Sequence, residues 1–286
     1  MNAPMRIVVA YDRSSAADDA LDELVRAGLP DNAHALVLSV AEPWPVPIPS
    51  DGGLHFPEPL LADRESAGEA AHLAGDRLRK DFPGWTIAAE GITGSVTQGI
   101  LARAEAWGAN LIVVGSRGRN LPGRSQFGSI SQQIATSAHC SVRVSRDRQV
   151  SRLDPVRLLA AVDGSPDAER VLHEILHRPW PPHTKVWLVT AVGASATVED
   201  DEGGRRRAET LHADCIAQLH ERGIAGASIL EAIDPKHAIL FQARELDVDS
   251  IVIGARGLTR YERSLLGSIS ASVAARAACS VEIVRG

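Results

Sequence analysis

Two glycine patterns in this chain have the residue types and spacing to hold a phosphate. Gly115-Ser-Arg-Gly118 is followed, after nine intervening residues, by Gly128-Ser129, and Gly254-Ala-Arg-Gly257 is followed at the same interval by Gly267-Ser268. Glycine lets a backbone turn sharply and approach a ligand with no Cβ in the way. A helix starting after Gly128 or Gly267 would turn free N–H groups and the positive end of its dipole toward an anion. Ser129 and Ser131, with Ser268 and Ser270 in the second copy, could add hydroxyl donors, and Ser129 doubles as a candidate N-cap. Arg117 and Arg124, matched by Arg256 and Arg263, suit phosphate oxygens, although arginine in a loop is also the ordinary solvated residue. The second copy stands 139 positions after the first and both continue Ser-Ile-Ser, so the chain reads as two versions of one phosphate-cradling domain.

Length and composition agree with a duplication. At 286 residues the chain exceeds the usual size of one domain, and 44% hydrophobic with 23% charged residues is ordinary for a globular protein with a core in each half. A formal net charge of −6 gives no broad cationic surface for nucleic acid. The opening Met-Asn-Ala-Pro-Met-Arg passes directly into Ile7-Val8-Val9-Ala10 without a signal core, and no apolar run approaches a membrane span. A cytoplasmic protein with no membrane partner is expected. Cys140, Cys215 and Cys279 have no CxxC spacing and read as reduced, buried small hydrophobes.

The elements that must position the glycine loops alternate between strand and helix, twice over. In the first half strands are expected at Arg6 to Ala10, Ala35 to Val40, Thr86 to Ala89, Leu111 to Val114 and Val142 to Val144. Helices are expected at Ala16 to Ala27, Ser66 to Lys80, Val96 to Trp107 and Ser129 to Ala138, with a proline-rich loop from Glu42 to Pro59. The second half repeats the order, with strands Leu158 to Val162, Val186 to Val192, Ser228 to Glu231, Ile251 to Ile253 and Val281 to Val284. Its helices are Pro166 to His177, Arg206 to Arg222, Pro235 to Leu246 and Ser268 to Ala277. The segment Ala194 to Arg207 reads as a variable loop, its charges Glu199 to Glu202 and Arg205 to Arg207 solvated and running into a helix start. Such alternation implies an α/β fold of two tandem doubly wound domains, each a five-stranded, mostly parallel sheet with helices on both faces. The expected division is residues 1–147 and 154–286, joined by a polar linker at 148–153.

Ligands of such sheets bind beyond the carboxyl ends of the strands, where the strand order reverses. Three features of each half converge there: Asp12 or Asp163 after the first strand, Gly115 or Gly254 after the fourth, and the helix that begins after Gly128 or Gly267.

At this point the residues resemble a known family, the universal stress proteins, in a tandem arrangement and in the ATP-binding branch. The resemblance rests on Gly, two residues, Gly, nine residues, Gly-Ser, which both halves match without a gap, and on Val162-Asp163-Gly164-Ser165-Pro166, less plainly on Tyr11-Asp12-Arg13-Ser14-Ser15. It implies a Rossmann-like, adenine nucleotide alpha hydrolase-like fold with one ATP per domain, Mg2+ being a companion ion that Asp12 or Asp163 alone supports thinly. By resemblance Asp12 and Asp163 would engage the adenosine part, together with backbone at Val40 and Ala191. Gly115, Gly118, Gly128, Ser129 and Ser131 would hold ribose and phosphates in the first site, and Gly254, Gly257, Gly267, Ser268 and Ser270 in the second. It further implies an internal pseudo-dimer through the short, apolar last strands, whose open edges need cover. A chain–chain homodimer and the protein partners stay open.

The two sites are expected to differ around their matching loops. Arg13 stands where the second half has Gly164, and Gly94 where it has Ile233. The three lysines, Lys80, Lys185 and Lys236, lie outside both glycine loops, so no Walker-type lysine is present to stabilise a transferring phosphoryl group. This favours a nucleotide-dependent sensor in a stress response over a dedicated enzyme, with slow ATP hydrolysis at most. A weak ATPase or nucleotide-transfer activity, and a chaperone-like interaction module, are the alternatives. His173-Glu-Ile-Leu-His177 matches the zinc motif HExxH, but no third ligand follows and the aligned first-half helix has Asp22 and Arg26 instead. It reads as a chance match on an exposed helix.

Overall fold

The structure, a computed structural model, describes residues 3–42, 58–117, 127–146, 151, 154–192, 198–257 and 266–286. The first half runs β1 (Met5–Ala10), α1 (Ser15–Glu23), β2 (Ala33–Ala41), α2 (Glu58–Asp81), β3 (Thr86–Thr93), α3 (Val96–Trp107), β4 (Leu111–Gly115), α4 (Ser129–Ser137) and β5 (Ser141–Ser145). The second runs β6 (Arg157–Ala161), α5 (Pro166–His177), β7 (Lys185–Ala191), α6 (Val198–Glu221), β8 (Ala225–Glu231), α7 (Pro235–Glu245), β9 (Ser250–Gly254), α8 (Ser268–Arg276) and β10 (Ser280–Val284). The ten strands form one sheet in the order β3-β2-β1-β4-β5-β10-β9-β6-β7-β8. Every neighbouring pair is parallel except β5 with β10, where the halves meet.

The central strands are apolar because both faces of the sheet are covered. β4 and β9 are buried from end to end. On one face each half has its own core, Ile7, Leu24 and Leu78 in the first and Leu158, Val171 and Leu219 in the second. On the other face a single core runs through both, joining Val8, Ile112 and Ile134 to Leu159, Ile251 and Val273.

Several expected boundaries shift for physical reasons. The first helix ends at Glu23 and tightens into a 3₁₀ turn at Leu24–Arg26 before Gly28, whose φ of +62° a residue with a Cβ adopts at a cost. The expected charged loop before Arg206 is helix: α6 starts at Val198, so Glu202 and Arg206 lie one turn apart at 3.7 Å and Arg205 reaches Glu209 at 3.1 Å. α2 likewise starts at Glu58, with Pro59 in its first turn, where a missing N–H costs nothing. The rest of the proline-rich loop, from 43 to 57, lies outside the described residues.

The closing strands are not apolar as expected. β5 carries Arg143 and β10 carries Glu282, both fully buried and facing each other across the seam. Ser151 of the expected linker and Asp154 just after it accept from Arg26 through their carbonyls, at 2.7 and 2.6 Å.

Candidate functional site

The strand order reverses between β1 and β4 in the first half and between β6 and β9 in the second, and at each reversal an aspartate follows the first strand. The turns are built alike. Asp12 Oδ1 accepts the Ser14 N–H at 3.0 Å and Asp163 Oδ1 accepts the Ser165 N–H at 3.0 Å. Ser14 and Ser165 then cap the following helices, accepting from the N–H groups of Ala17 and Ala168 at 3.2 Å. One oxygen of each aspartate is thus held by the turn. In the second half the free oxygen, Asp163 Oδ2, faces the loop after the fourth strand.

That loop approaches closely, which is why it begins with glycine. A Cβ on Gly254 would stand 2.7 Å from the Cβ of Asp167, and one on Gly115 would stand 2.5 Å from the Ala16 carbonyl oxygen. A Cβ on Gly257 would come within 2.8 Å of Asp163 Oδ2, filling the gap between loop and carboxylate. Gly118, its first-half counterpart, lies outside the described residues, as do Arg124 and Arg263.

The helices that follow start without a side-chain cap. Gly128 and Gly267 are themselves the N-caps of α4 and α8, so Ser129 is the first helical residue and not the cap expected of it. Ser129 and Ser268 are exposed at these helix starts. Ser131 and Ser270 are buried and spend their protons within the protein, donating to the Gly115 and Gly254 carbonyls at 2.7 and 2.6 Å. They tie each helix start to the end of its strand, which leaves the first N–H groups of α4 and α8 to meet an anion.

In the second half these parts line an open cleft at the carboxyl edge of the sheet. It brings together Asp163, Ala191, Gly254, Arg256, Gly257 and Ser270, while Gly267 and Ser268 border the same loop without lining it. Its apolar wall consists of Val189, Pro235, Ile239, Ile253 and Ile269. Alternation of apolar residues marks these positions as core, so nothing in their spacing sets them apart as ligand contacts. In the first half Asp12, Val40, Gly115 and Gly128 hold the corresponding places at the strand ends, and Arg117 is exposed.

The arginines of the two loops are held differently. Asp167 Oδ2 accepts the backbone N–H of Arg256 at 2.9 Å and lies 3.4 Å from its Nε, which orients the side chain beside the cleft. The structurally equivalent residue before Arg117 is the uncharged Ala16. Arg13, at a φ of +63°, swings away to Glu69 at 3.5 Å, so it does not cover the aspartate next to it.

Beneath the cleft, Thr190 lines the wall and is itself held from below. Its hydroxyl donates to the Val162 carbonyl and accepts from His212 Nε2 at 2.8 Å, while Ser228 Oγ lies 2.6 Å from His212 Nδ1. Burial pushes the His212 pKa down to about 4, so the ring is neutral with its proton on Nε2. Sequence reading missed this trio, because a single histidine on a helix gives no spacing signal.

Among the described residues no group of three or more His, Cys, Asp or Glu could hold a metal ion. His173 and His177 stack on each other, with ring centroids 4.0 Å apart, and Glu174 is engaged by Arg178. Among the described residues, too, no helix is long and apolar enough to cross a membrane.

Comparison with known proteins places these features. The model of the universal stress protein family matches twice, at residues 4–146 and 156–285. A universal stress protein of Mycolicibacterium smegmatis is 27% identical over 295 residues, covering 98% of this chain and 96% of that one. Among solved structures, a universal stress protein from Archaeoglobus fulgidus superposes with a TM-score of 0.69 at 20% identity, with 98% of each chain covered. A universal stress protein from Pseudomonas aeruginosa gives 0.62 at 18% identity, over 99% of this chain and 93% of that one. These two likenesses extend to the fold.

Proposed function

The chain belongs to the universal stress protein family, and from that premise we propose that each half binds one adenine nucleotide, ATP, at the carboxyl edge of its sheet, and that the chain is a nucleotide-dependent regulator of the cytoplasmic stress response. The observation that carries this reading is the second-half cleft, where an apolar wall, a fixed carboxylate, a glycine loop and an uncapped helix start meet. The wall of Val189, Ile239 and Ile269 suits a flat base. Asp163 Oδ2, beside Gly257, would accept hydrogen bonds from the adenosine part, joined by the backbone at Ala191. The loop N–H groups, Arg256 and the start of α8 would then face the phosphates. The first half would bind in the same way through Asp12, Val40, Gly115, Arg117, Gly118, Gly128 and Ser129, with Ser131 and Ser270 bracing the two loops from below.

Mg2+ would come with the triphosphate, coordinated by its phosphate oxygens. The described residues offer it no protein cage.

Among the described residues the second-half cleft holds charge in place and is lined by no lysine. This supports binding, rather than turnover, as its work. The test is chromatography of nucleotide released from denatured protein, with labelled ATP added to a second sample. Released or bound adenine nucleotide that stays ATP over many hours supports a binder. Steady ADP formation abolished by Gly128→Val with Gly267→Val would make the chain an enzyme instead, and no binding at all would leave the fold without this function.

A further inference from the structure

The seam between the halves is nearly symmetric, and its centre is not. β5 and β10 pair antiparallel, with Val281 opposite Val144, Glu282 opposite Arg143 and Ile283 opposite Val142. The flanks match across the pseudo-twofold axis. Arg146 donates to the Ala274 and Cys279 carbonyls, and Arg285 donates to the equivalent Ala135 and Cys140 carbonyls. The apolar neighbours and the flanking arginines would accept either half as partner.

The central position is charge-reversed. Arg143 and Glu282 stand at the same place in the repeat, 139 positions apart, at 1% and 0% exposure. Arg143 Nη1 donates to Glu282 Oε2 at 3.0 Å. Each also has a counter-ion from its own half: Glu23 takes Arg143 Nε at 2.9 Å, and Arg178 gives Nη1 to Glu282 Oε2 at 2.9 Å. Burial alone would push the Glu282 carboxyl up, but Arg178 and then Arg143 outweigh it and hold it below the usual carboxylate range. The pair is buried and each member has a second partner of opposite charge, Arg178 also reaching Glu174 at 3.1 Å.

We propose that the Arg143–Glu282 pair is a pairing code, one that admits the chain's own opposite half to the seam and rejects a second copy of the same half. In a seam of two first halves Arg143 would face Arg143, and in one of two second halves Glu282 would face Glu282. Each group would keep its own counter-ion, but the direct pair would become two like charges directly opposite on antiparallel strands, where repulsion is destabilising and burial removes the screening. Partner choice through a buried polar group is an attested use of such residues.

The test uses two full-length chains carrying different tags, one with Glu282→Arg and one with Arg143→Glu. Alone, each places like charges across its seam. Produced together, each can pair its halves with those of the other, so that every seam again contains two acids and two bases from these four positions. Native mass spectrometry is expected to find the mixed dimer in about tenfold excess or more over either like dimer, against a baseline from two tagged copies of the unaltered chain. This holds even where a single variant is insoluble by itself, because co-production restores the balance. A statistical 1:2:1 mixture, a mixed yield no higher than the unaltered baseline, or two chains that stay insoluble together would overturn the proposal.

Discussion

His212 shows how much one residue can set without touching the cleft. Its ring sits between Ser228 and Thr190, and Thr190 passes the hydrogen bond to the Val162 carbonyl, one residue before Asp163. Since burial lowers its pKa to about 4, the unfolded chain takes up a proton between the ordinary histidine value and pH 4 that the folded chain refuses. Stability is therefore full above about pH 6.5 and falls as pH drops through that window, by about 2 kcal/mol at pH 5. Chemical denaturation at pH 7 and pH 5 should find this loss in the parent and a smaller one in His212→Ala; an identical slope in both would refute it. Such residues are poorly legible in sequence. The glycines could be read because their type and spacing repeat, whereas Arg143 and Glu282 lie in strands read as apolar, and only the seam gives each its partner. Ser131 and Ser270 were visible in the same pattern, but the strand-end carbonyls to which their hydroxyls donate were not.

At the scale of elements, the two kinds of helix start divide the labour. α1 and α5 begin with serine caps that satisfy their own N–H groups, while α4 and α8 begin with glycine and leave theirs open. Ser165→Ala should cost about 1 kcal/mol of stability, the usual value of an N-cap, measurable as a lower urea midpoint at unchanged slope. A loss near zero would mean that Asp163 and Pro166 fix that turn without the cap. The helix and strand order was readable because periodicity and capping signals agreed, and the bounds of α3 and α5 match their residues. α6 was read short because a run of charges resembles a solvated loop; spacing by four residues, as in Glu202 with Arg206, lets the same charges support a helix.

For the whole molecule, the continuous sheet and the shared core make the halves one body on one face and two on the other. Arg26 reinforces that union, reaching Asp249 of the second half at 2.9 Å with both side chains more than nine-tenths buried. Arg26→Met removes the guanidinium partner of Asp249, which keeps the Arg157 N–H at 2.8 Å, and should lower stability by about 3 kcal/mol. Calorimetry should show the parent melting in one transition and the variant shifted down; an unmoved melting temperature would refute the link. The central claim is that both halves bind nucleotide, and its most direct measurement is the number of ATP molecules bound per nucleotide-free chain by isothermal titration. The account predicts two, of differing affinity because Arg256 has Asp167 beside it and Arg117 has Ala16 in that place. One or zero would contradict it.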